Sequence, residues 1–333
     1  MKNYLRLTSS RDLPTSPPIC LPTPLPASLP AFSPAFLLRH AIILCSLTSL
    51  GALAGTTSPA GADEIALYAA GDIADCRDSS AAESPAAQTA ALIAAQLARQ
   101  PQARVLTMGD NTYPKGDPSE FAQCYAPTWG RFKEVTLPAP GNHDYYTAGG
   151  AGYFGYFGAQ AGPAQRGYYR TQVGKWRLFS LNSYLQDPQQ HAQQLAWLQQ
   201  ELASSPKGCT LAYWHHPLFS SGGHGNDPRM LDVWKVLQAA HVDVVLNGHD
   251  HDYERFAPQD SNGKADPQGI REFVVGTGGT PLSPALLRRA NSEAINTRSH
   301  GVLKLTLHEH GYDWEFLPVA KDGFTDKGSA SCH

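Results

Sequence analysis

His249 and His251 stand two residues apart in Asn247-Gly248-His249-Asp250-His251-Asp252, directly after the β-branched run 242–246. A buried strand that ends in such a loop presents its polar side chains at one edge of a sheet. Four more apolar runs end alike. Residues 65–70 lead into Gly71-Asp72, 104–108 into Gly109-Asp110-Asn111-Thr112-Tyr113, 135–140 into Gly141-Asn142-His143-Asp144, and 209–213 into Trp214-His215-His216-Pro217. A glycine usually precedes the polar residue and lets the backbone turn sharply. In open α/β sheets, groups delivered from several strand ends meet in one crevice. Carboxylate, amide, imidazole and phenolate together form a mixed oxygen and nitrogen donor set, suited to iron, manganese or zinc rather than to copper in a thiolate pocket. Two ions need a bridge, and a carboxylate with one oxygen toward each ion supplies it. Water held between two cations loses its proton near neutral pH and can attack phosphorus in line. One Gly-Asp pair or one histidine is far more often structural; five such loops in order carry the inference.

The elements that must position these loops follow from periodicity. Residues 83–99 carry apolar side chains at helical spacing and stop before Pro101; 187–204 and 228–240 read as further helices, and 118–132 as partly helical. Residues 167–183 alternate as a hairpin, and 271–275, 302–307 and 312–317 are strand-like, with His310-Gly311 as a turn. These are strands enough for two sheets. The stretch 147–163 mixes glycine with Tyr153, Phe154, Tyr156 and Phe157 and reads as a loop, either packed by its own aromatics or lying over the site.

The first sixty residues differ in kind. Residues 12–34 are crowded with proline, and the apolar run 41–55 is too short to span a bilayer comfortably. With Arg39 ahead of it and Ala60-Gly61-Ala62 behind, it reads as a secretory signal cleaved after Ala62, against a buried helix or a retained anchor. The segment before Phe36 is long for a signal, which suggests a later translation start. Residues 1–62 are therefore expected to be a signal peptide with a Pro-rich leader, and 63–333 one catalytic domain, secreted or periplasmic and free of membrane once processed. The chain carries −3; residues 1–62 hold four basic and one acidic side chain, so the remainder carries −6. That mildly acidic balance argues against nucleic acid as the main partner. Cys76, Cys124, Cys209 and Cys332 remain after cleavage, an even number that fits export. Of three possible pairings, Cys76 with Cys124 ties two site loops and leaves Cys209 for Cys332. A thiolate zinc site competes, without a Cys-x-x-Cys spacing to support it.

Gly71-Asp72, Gly109-Asp110 with Tyr113, Gly141-Asn142-His143, His215 with Pro217, and Gly248-His249-Asp250-His251 resemble the five motifs of calcineurin-like metallophosphoesterases, over nearly all of residues 63–254. Most members have Asp-x-His in the first motif, whereas Asp72-Ile73-Ala74 lacks that histidine. Asp110-Asn111-Thr112-Tyr113 is instead similar to the Asp-x-x-Tyr pattern of the purple acid phosphatase branch, where tyrosine takes the histidine's place. The resemblance implies an α/β fold, a four-layer αββα sandwich of two mixed sheets flanked by helices. It implies Fe(III) at Asp72, Asp110, Tyr113 and His251, and a divalent Fe, Zn or Mn ion at Asp110, Asn142, His215 and His249, with Asp110 as the bridge. The implied function is hydrolysis of small phosphate monoesters by a metal-bound hydroxide. A phosphodiesterase of the same fold is the alternative enzyme, and a non-catalytic binding protein on the scaffold the alternative of another class. His143 resembles the family's outer-sphere histidine, and His224, nine residues after His215 on a Gly-rich loop, is a candidate second proton donor. His216 is expected on the opposite face by strand alternation, as a structural residue or one that supports a ligand from behind. Asp144 and Asp250 are expected to orient ligands. Residues 276–280 lack the Lys and Ser/Thr that would follow in a nucleotide-binding loop and read as a tight turn.

Overall fold

In a computed structural model, which describes residues 64–204, 208–285, 287–320 and 324–333, the apolar runs pair into two mixed sheets. Three parallel neighbours, β1 (Ile65–Ala70), β2 (Arg104–Met108) and β3 (Thr136–Ala139), form one half of the first sheet. The antiparallel strands that complete it come from the C-terminal part of the chain. Numbered in chain order, the second sheet takes β4 (Tyr169–Val173), β5 (Trp176–Ser180), β6 (Thr210–Tyr213), β7 (Val244–Asn247), β8 (Tyr253–Phe256), β9 (Arg271–Val275) and β10 (Ser292–Asn296). The first sheet adds β11 (Gly301–His308), β12 (Gly311–Pro318) and β13 (Lys327–Ser331). The spatial orders are β13-β12-β11-β1-β2-β3 and β10-β8-β9-β7-β6-β5-β4. β5, β6, β7 and β9 run parallel, so the site-bearing strands of each sheet end at a common edge.

Both faces of these strands are covered, which explains their unbroken apolar runs. Val244 and Leu246 join Leu67 and Leu305 of the first sheet in the core between the sheets. Val245 points the other way and packs with Trp214 and Trp234 against the helices α4 (Pro188–Ser204) and α5 (Leu231–Ala239). Each such side chain removed from water contributes about 1.5–3 kcal/mol. Outside the first sheet lies α1 (Pro85–Leu97), started by Pro85 and by Ser84, whose hydroxyl accepts from the Ala87 amide. Its buried residues Ala86, Thr89, Ala90 and Ile93 keep the helical period. The Thr89 hydroxyl donates to Gly278 O at 2.6 Å and fixes the 276–280 turn over the helix.

Two sequence expectations change here. Residues 147–163 are not an open loop: α3 (Ala151–Phe157) forms there, next to short 3-10 turns, and buries Tyr153, Phe154 and Phe157 in the core. A short helical segment, α2 (Pro118–Glu120), precedes it in the chain and runs on into a π turn over Phe121–Tyr125. The glycines around α3 serve its ends and its packing. Gly150 and Gly158 carry positive φ at its caps, and a Cβ on Gly152 would meet the Gly116 carbonyl. The strands β10 and β13 also escaped the periodicity. They lie at sheet edges and are largely polar, so no apolar alternation marks them.

Disulfides join Cys76 to Cys124 and Cys209 to Cys332, as expected from sequence. The second ties the start of β6 in one sheet to the end of β13 in the other. The described residues belong to one compact unit, Thr57–His333. The signal and Pro-rich leader expected in residues 1–62 lie outside the described residues. Among the described residues no helix is long and apolar enough to cross a membrane.

Candidate metal centre

Hydrogen bonding of the strand ladders continues past the strand ends into four of the five loops and sets their relative height. Asp72 N donates to Gly109 O at 3.1 Å, Ile73 N to Asp110 O at 3.0 Å, and Gly248 N to His215 O at 3.0 Å. Asp72, Asp110 and His249 all adopt positive φ, at 59°, 49° and 72°. For residues with a Cβ this backbone is costly, and it persists where surrounding contacts over-determine it. The preceding glycines supply the room. A Cβ on Gly109 would lie 2.7 Å from His215 Nδ1, and one on Gly248 would lie 2.6 Å from Asp72 Oδ2.

Each carboxylate spends one oxygen on a neighbouring backbone and turns the other inward. Asp72 Oδ2 accepts from His249 N at 2.8 Å; its Oδ1 accepts from the Tyr113 hydroxyl at 2.9 Å and lies 3.5 Å from His251 Nε2. Asp110 Oδ1 accepts from His143 N at 2.8 Å, while Oδ2 lies 3.2 Å from both the Tyr113 hydroxyl and His215 Nε2. Oδ2 alone is common to both halves, because the backbone of the third loop has claimed Oδ1.

The imidazoles are oriented from behind. Carbonyl oxygens can only accept, so His215 Nδ1 donates to Met108 O at 2.8 Å and His251 Nδ1 to Pro281 O at 3.0 Å, and both Nε2 atoms are left facing inward. His249 Nδ1 converges on His215 Nε2 at 3.2 Å. Asn142 Oδ1 is buried without a hydrogen-bond partner, and its Nδ2 donates to the Tyr146 hydroxyl at 3.0 Å. Ligand atoms of Asp72, Asp110 and His215 lie within 4.8 Å of one another. Converging acceptors, one of them orphaned, are what a cation would satisfy. The donor set therefore fits metal ions: Asp72, Asp110, Tyr113, His215, His249 and His251 are linked by contacts of 3.5 Å or less, and Asn142 brings a buried, unpartnered oxygen from the adjoining loop.

The electrostatics agree. Burial opposes the charge on Asp110, yet His215 and His143 hold its carboxyl well below the usual range. Burial likewise opposes protonation of His215, and the Asp110 and Asp72 charges override it, pushing the imidazole up to about 9. His249 is pushed down to about 3 by burial and by the neighbouring His215 and His224, which keeps it neutral and able to ligate. Burial and the Asp110 and Asp72 charges raise the Tyr113 phenol well above its ordinary value. A cation among the same oxygens would reverse that field.

His143 stands at the rim, with Nδ1 donating to Pro114 O at 2.7 Å and Nε2 3.9 Å from Asp110 Oδ2. His224 is half-exposed; its ring lies 4.2 Å from that of His249, and its Nδ1 faces Asp250 Oδ1 at 3.1 Å. Asp250 also accepts from the Ser220 hydroxyl and from the amides of His224 and Gly225, so it holds the whole Gly-rich loop rather than a single ligand. Asp144 likewise holds backbone, accepting from Gly141 N at 2.8 Å and from the amide and carboxamide of Asn111. Burial and the Asp110 charge raise it to about 7. Residues 276–280 form the turn under Asp72, with Thr280 N donating to Asp72 O at 3.0 Å.

His216 does not take the opposite face, although it does support the site from behind a ligand, the other part of its expectation. β6 ends at Tyr213, so strand alternation no longer governs residue 216, and the buried ring lies 4.3 Å from that of His249. Its Nδ1 meets the Ser183 hydroxyl at 2.8 Å, and burial with the nearby His215 drives its basicity down. Tyr146 and Tyr184 escaped sequence reasoning altogether, since neither lies in a ligand-type spacing. The thiolate zinc reading also falls: Cys209, Asp243 and Cys332 cluster, but both thiols are in a disulfide.

Residues 67–253 match the family of calcineurin-like phosphoesterases. Purple acid phosphatase 18 of Arabidopsis thaliana is 32% identical over 118 residues, which is 34% of this chain and 26% of that protein. The match thus spans about a quarter of that curated relative. Among solved structures, the purple acid phosphatase PPD1 from yellow lupin (Lupinus luteus) seeds superposes with TM-score 0.62 at 19% identity, covering 80% of this chain and 54% of that one. GAP50, the anchor in the inner membrane complex of Plasmodium, superposes with TM-score 0.59 at 13% identity, covering 81% and 89%. These likenesses establish a shared fold of two mixed sheets flanked by helices.

Proposed function

The chain belongs to the calcineurin-like phosphoesterase family, and from that premise we propose that it is a metal-dependent phosphoric ester hydrolase of the purple acid phosphatase kind, acting on small phosphate monoesters. The observation that carries the proposal is the convergence on Asp110 Oδ2, which lies 3.2 Å from the Tyr113 hydroxyl on one side and 3.2 Å from His215 Nε2 on the other. Asp72, Asp110, Tyr113 and His251 would hold one ion, with the hard phenolate oxygen favouring Fe(III). Asp110, Asn142, His215 and His249 would hold a divalent Fe, Zn or Mn ion. When bound, the two ions supply Lewis acidity at the phosphoryl oxygens and lower the pKa of water.

The chain's own residues then have separable tasks. Backbone amides of His143 and His249 clamp Asp110 and Asp72 so that their inward oxygens do not rotate away. Met108 O and Pro281 O fix which nitrogen of His215 and His251 points inward. The tilt of His143 on the Tyr113 ring, 4.4 Å away, and its bond to Pro114 O leave Nε2 free to hold a proton toward a phosphate oxygen. His224, held by Asp250 with its ring 4.2 Å from that of His249, would be the group that protonates a leaving oxygen. No ligand expected from the purple acid phosphatase pattern is missing from the chain, Tyr113 standing in for the first-motif histidine, which argues against a scaffold retained only for binding. The domain 63–333 would act outside the cytosol, after removal of the leader; two disulfides suit such an oxidising compartment.

Metal analysis of the protein as purified, paired with hydrolysis assays on a monoester and a diester of the same alcohol, tests the proposal. Two metals per chain and faster monoester turnover are expected. Turnover of the diester alone would make it a phosphodiesterase, and metal-free protein inactive on both after reloading would end the enzymatic reading.

A further inference from the structure

The described residues leave two large hydrophobic side chains exposed, Tyr146 at 52% and Leu287 at 70%. Tyr146 is the unusual one. A surface tyrosine ordinarily lays its ring on protein and turns its hydroxyl to water. Here the hydroxyl is spent inward on Asn142 Nδ2 at 3.0 Å, and the ring is the part left open. It lies 4.6 Å from the His143 ring and edge-on to Tyr184 at 6.5 Å. Tyr184 in turn runs within 11° of parallel to the ring of His216, itself 4.3 Å from His249. The four rings therefore follow one another along the Asn142 and His249 side of the centre. Both tyrosines are held in place, Tyr184 by the Asn182 carboxamide oxygen on its amide and by the Tyr145 ring at 5.6 Å. Ser183 and Leu185, the chain neighbours of Tyr184, line a cleft of about 590 Å³ together with Pro188, His191 and Arg229.

We propose that Tyr146 and Tyr184 form an aromatic wall that receives the planar aromatic group of an aryl phosphate ester, and that this wall sets the substrate class of the site. The inference rests on the phosphoester reading above, which supplies the phosphate end of the substrate. A ring fixed at its polar end presents a face that loses little rotamer freedom on contact, so the wall rewards a flat apolar group more than a flexible polar one. An alkyl ester of equal charge reaches the same centre and leaves the wall uncovered.

The test uses the metal-loaded protein and two non-hydrolysable probes, phenylphosphonate and methylphosphonate, so that leaving-group chemistry plays no part. Calorimetry should find phenylphosphonate bound about tenfold more tightly, the scale of one ring-on-ring contact with its burial. Tyr146→Ala and Tyr184→Ala should each bring that ratio toward one, with Tyr184→Phe restoring it, and thermal melts identify any variant that fails to fold. Equal binding of the two phosphonates by the wild type, or a ratio untouched in both alanine variants, overturns the wall alone. Binding of neither phosphonate overturns the wall together with the phosphate-site reading beneath it.

Discussion

The Tyr146 hydroxyl accepts from Asn142 Nδ2 at 3.0 Å, while Oδ1 of the same carboxamide is buried with no protein partner. An amide held by its donor end presents its acceptor end in a fixed direction. Leaving an acceptor buried and unpaired costs about 1–3 kcal/mol, which ligation of a cation would offset. Tyr146→Phe should therefore weaken retention of the divalent ion by about tenfold and leave the other ion in place. Chelator titration followed by metal analysis measures this; identical retention in variant and wild type would show that the hydroxyl does not set the amide.

Asp110 should be the residue both ions depend on, because its Oδ2 faces Tyr113 and His215 alike. Asp110→Asn should lower the content of both metals, whereas His215→Ala should chiefly empty the divalent position. Full occupancy of two metals in Asp110→Asn would remove the bridge assignment.

Tyr113 is expected to decide which ion occupies the first position. A phenolate bound to Fe(III) absorbs visible light by charge transfer, so concentrated protein purified without added metal should be coloured and contain iron. Tyr113→Phe should lose the colour. An active, colourless, iron-free wild type would place divalent ions at both positions.

The C-terminal segment supplies a test of stability rather than of chemistry. Asp326 accepts from Arg255 Nε at 2.8 Å, Arg255 Nη2 at 2.9 Å and the Tyr253 hydroxyl at 2.6 Å. Burial works against its charge, and the bonds from Arg255 and Tyr253 more than compensate, holding the carboxyl below the usual range. A lowered folded-state pKa gives a contribution fully present above the ordinary carboxylate value of about 4 and lost as pH falls through the lower folded value. Asp326→Asn should cost about 2 kcal/mol at neutral pH. Denaturant melts should show the gap between variant and wild type closing below about pH 4; a gap independent of pH would assign the loss to packing.

The ligand-type residues were legible in the chain because five of them directly follow an apolar strand, with Tyr113 and His251 in the same loops, and parallel neighbours in a sheet must end at one edge. Residue type and strand order thus determined that Asp72, Asp110, Asn142, His215 and His249 would meet. Distances were another matter. Which oxygen of Asp110 faces inward depends on the His143 amide, a partner thirty-three residues away. His216 entered the site because β6 stops at Tyr213, a boundary that no periodicity marks. Tyr146 and Tyr184 were invisible for a related reason: one follows the third site loop and the other the β5 end, and only the packing of the two sheets sets their rings 6.5 Å apart. Sequence period reports which face a side chain takes within its own element. The meeting of side chains from different elements is set by how those elements pack and by the backbone groups that lock each rotamer, and these exist only in the folded chain.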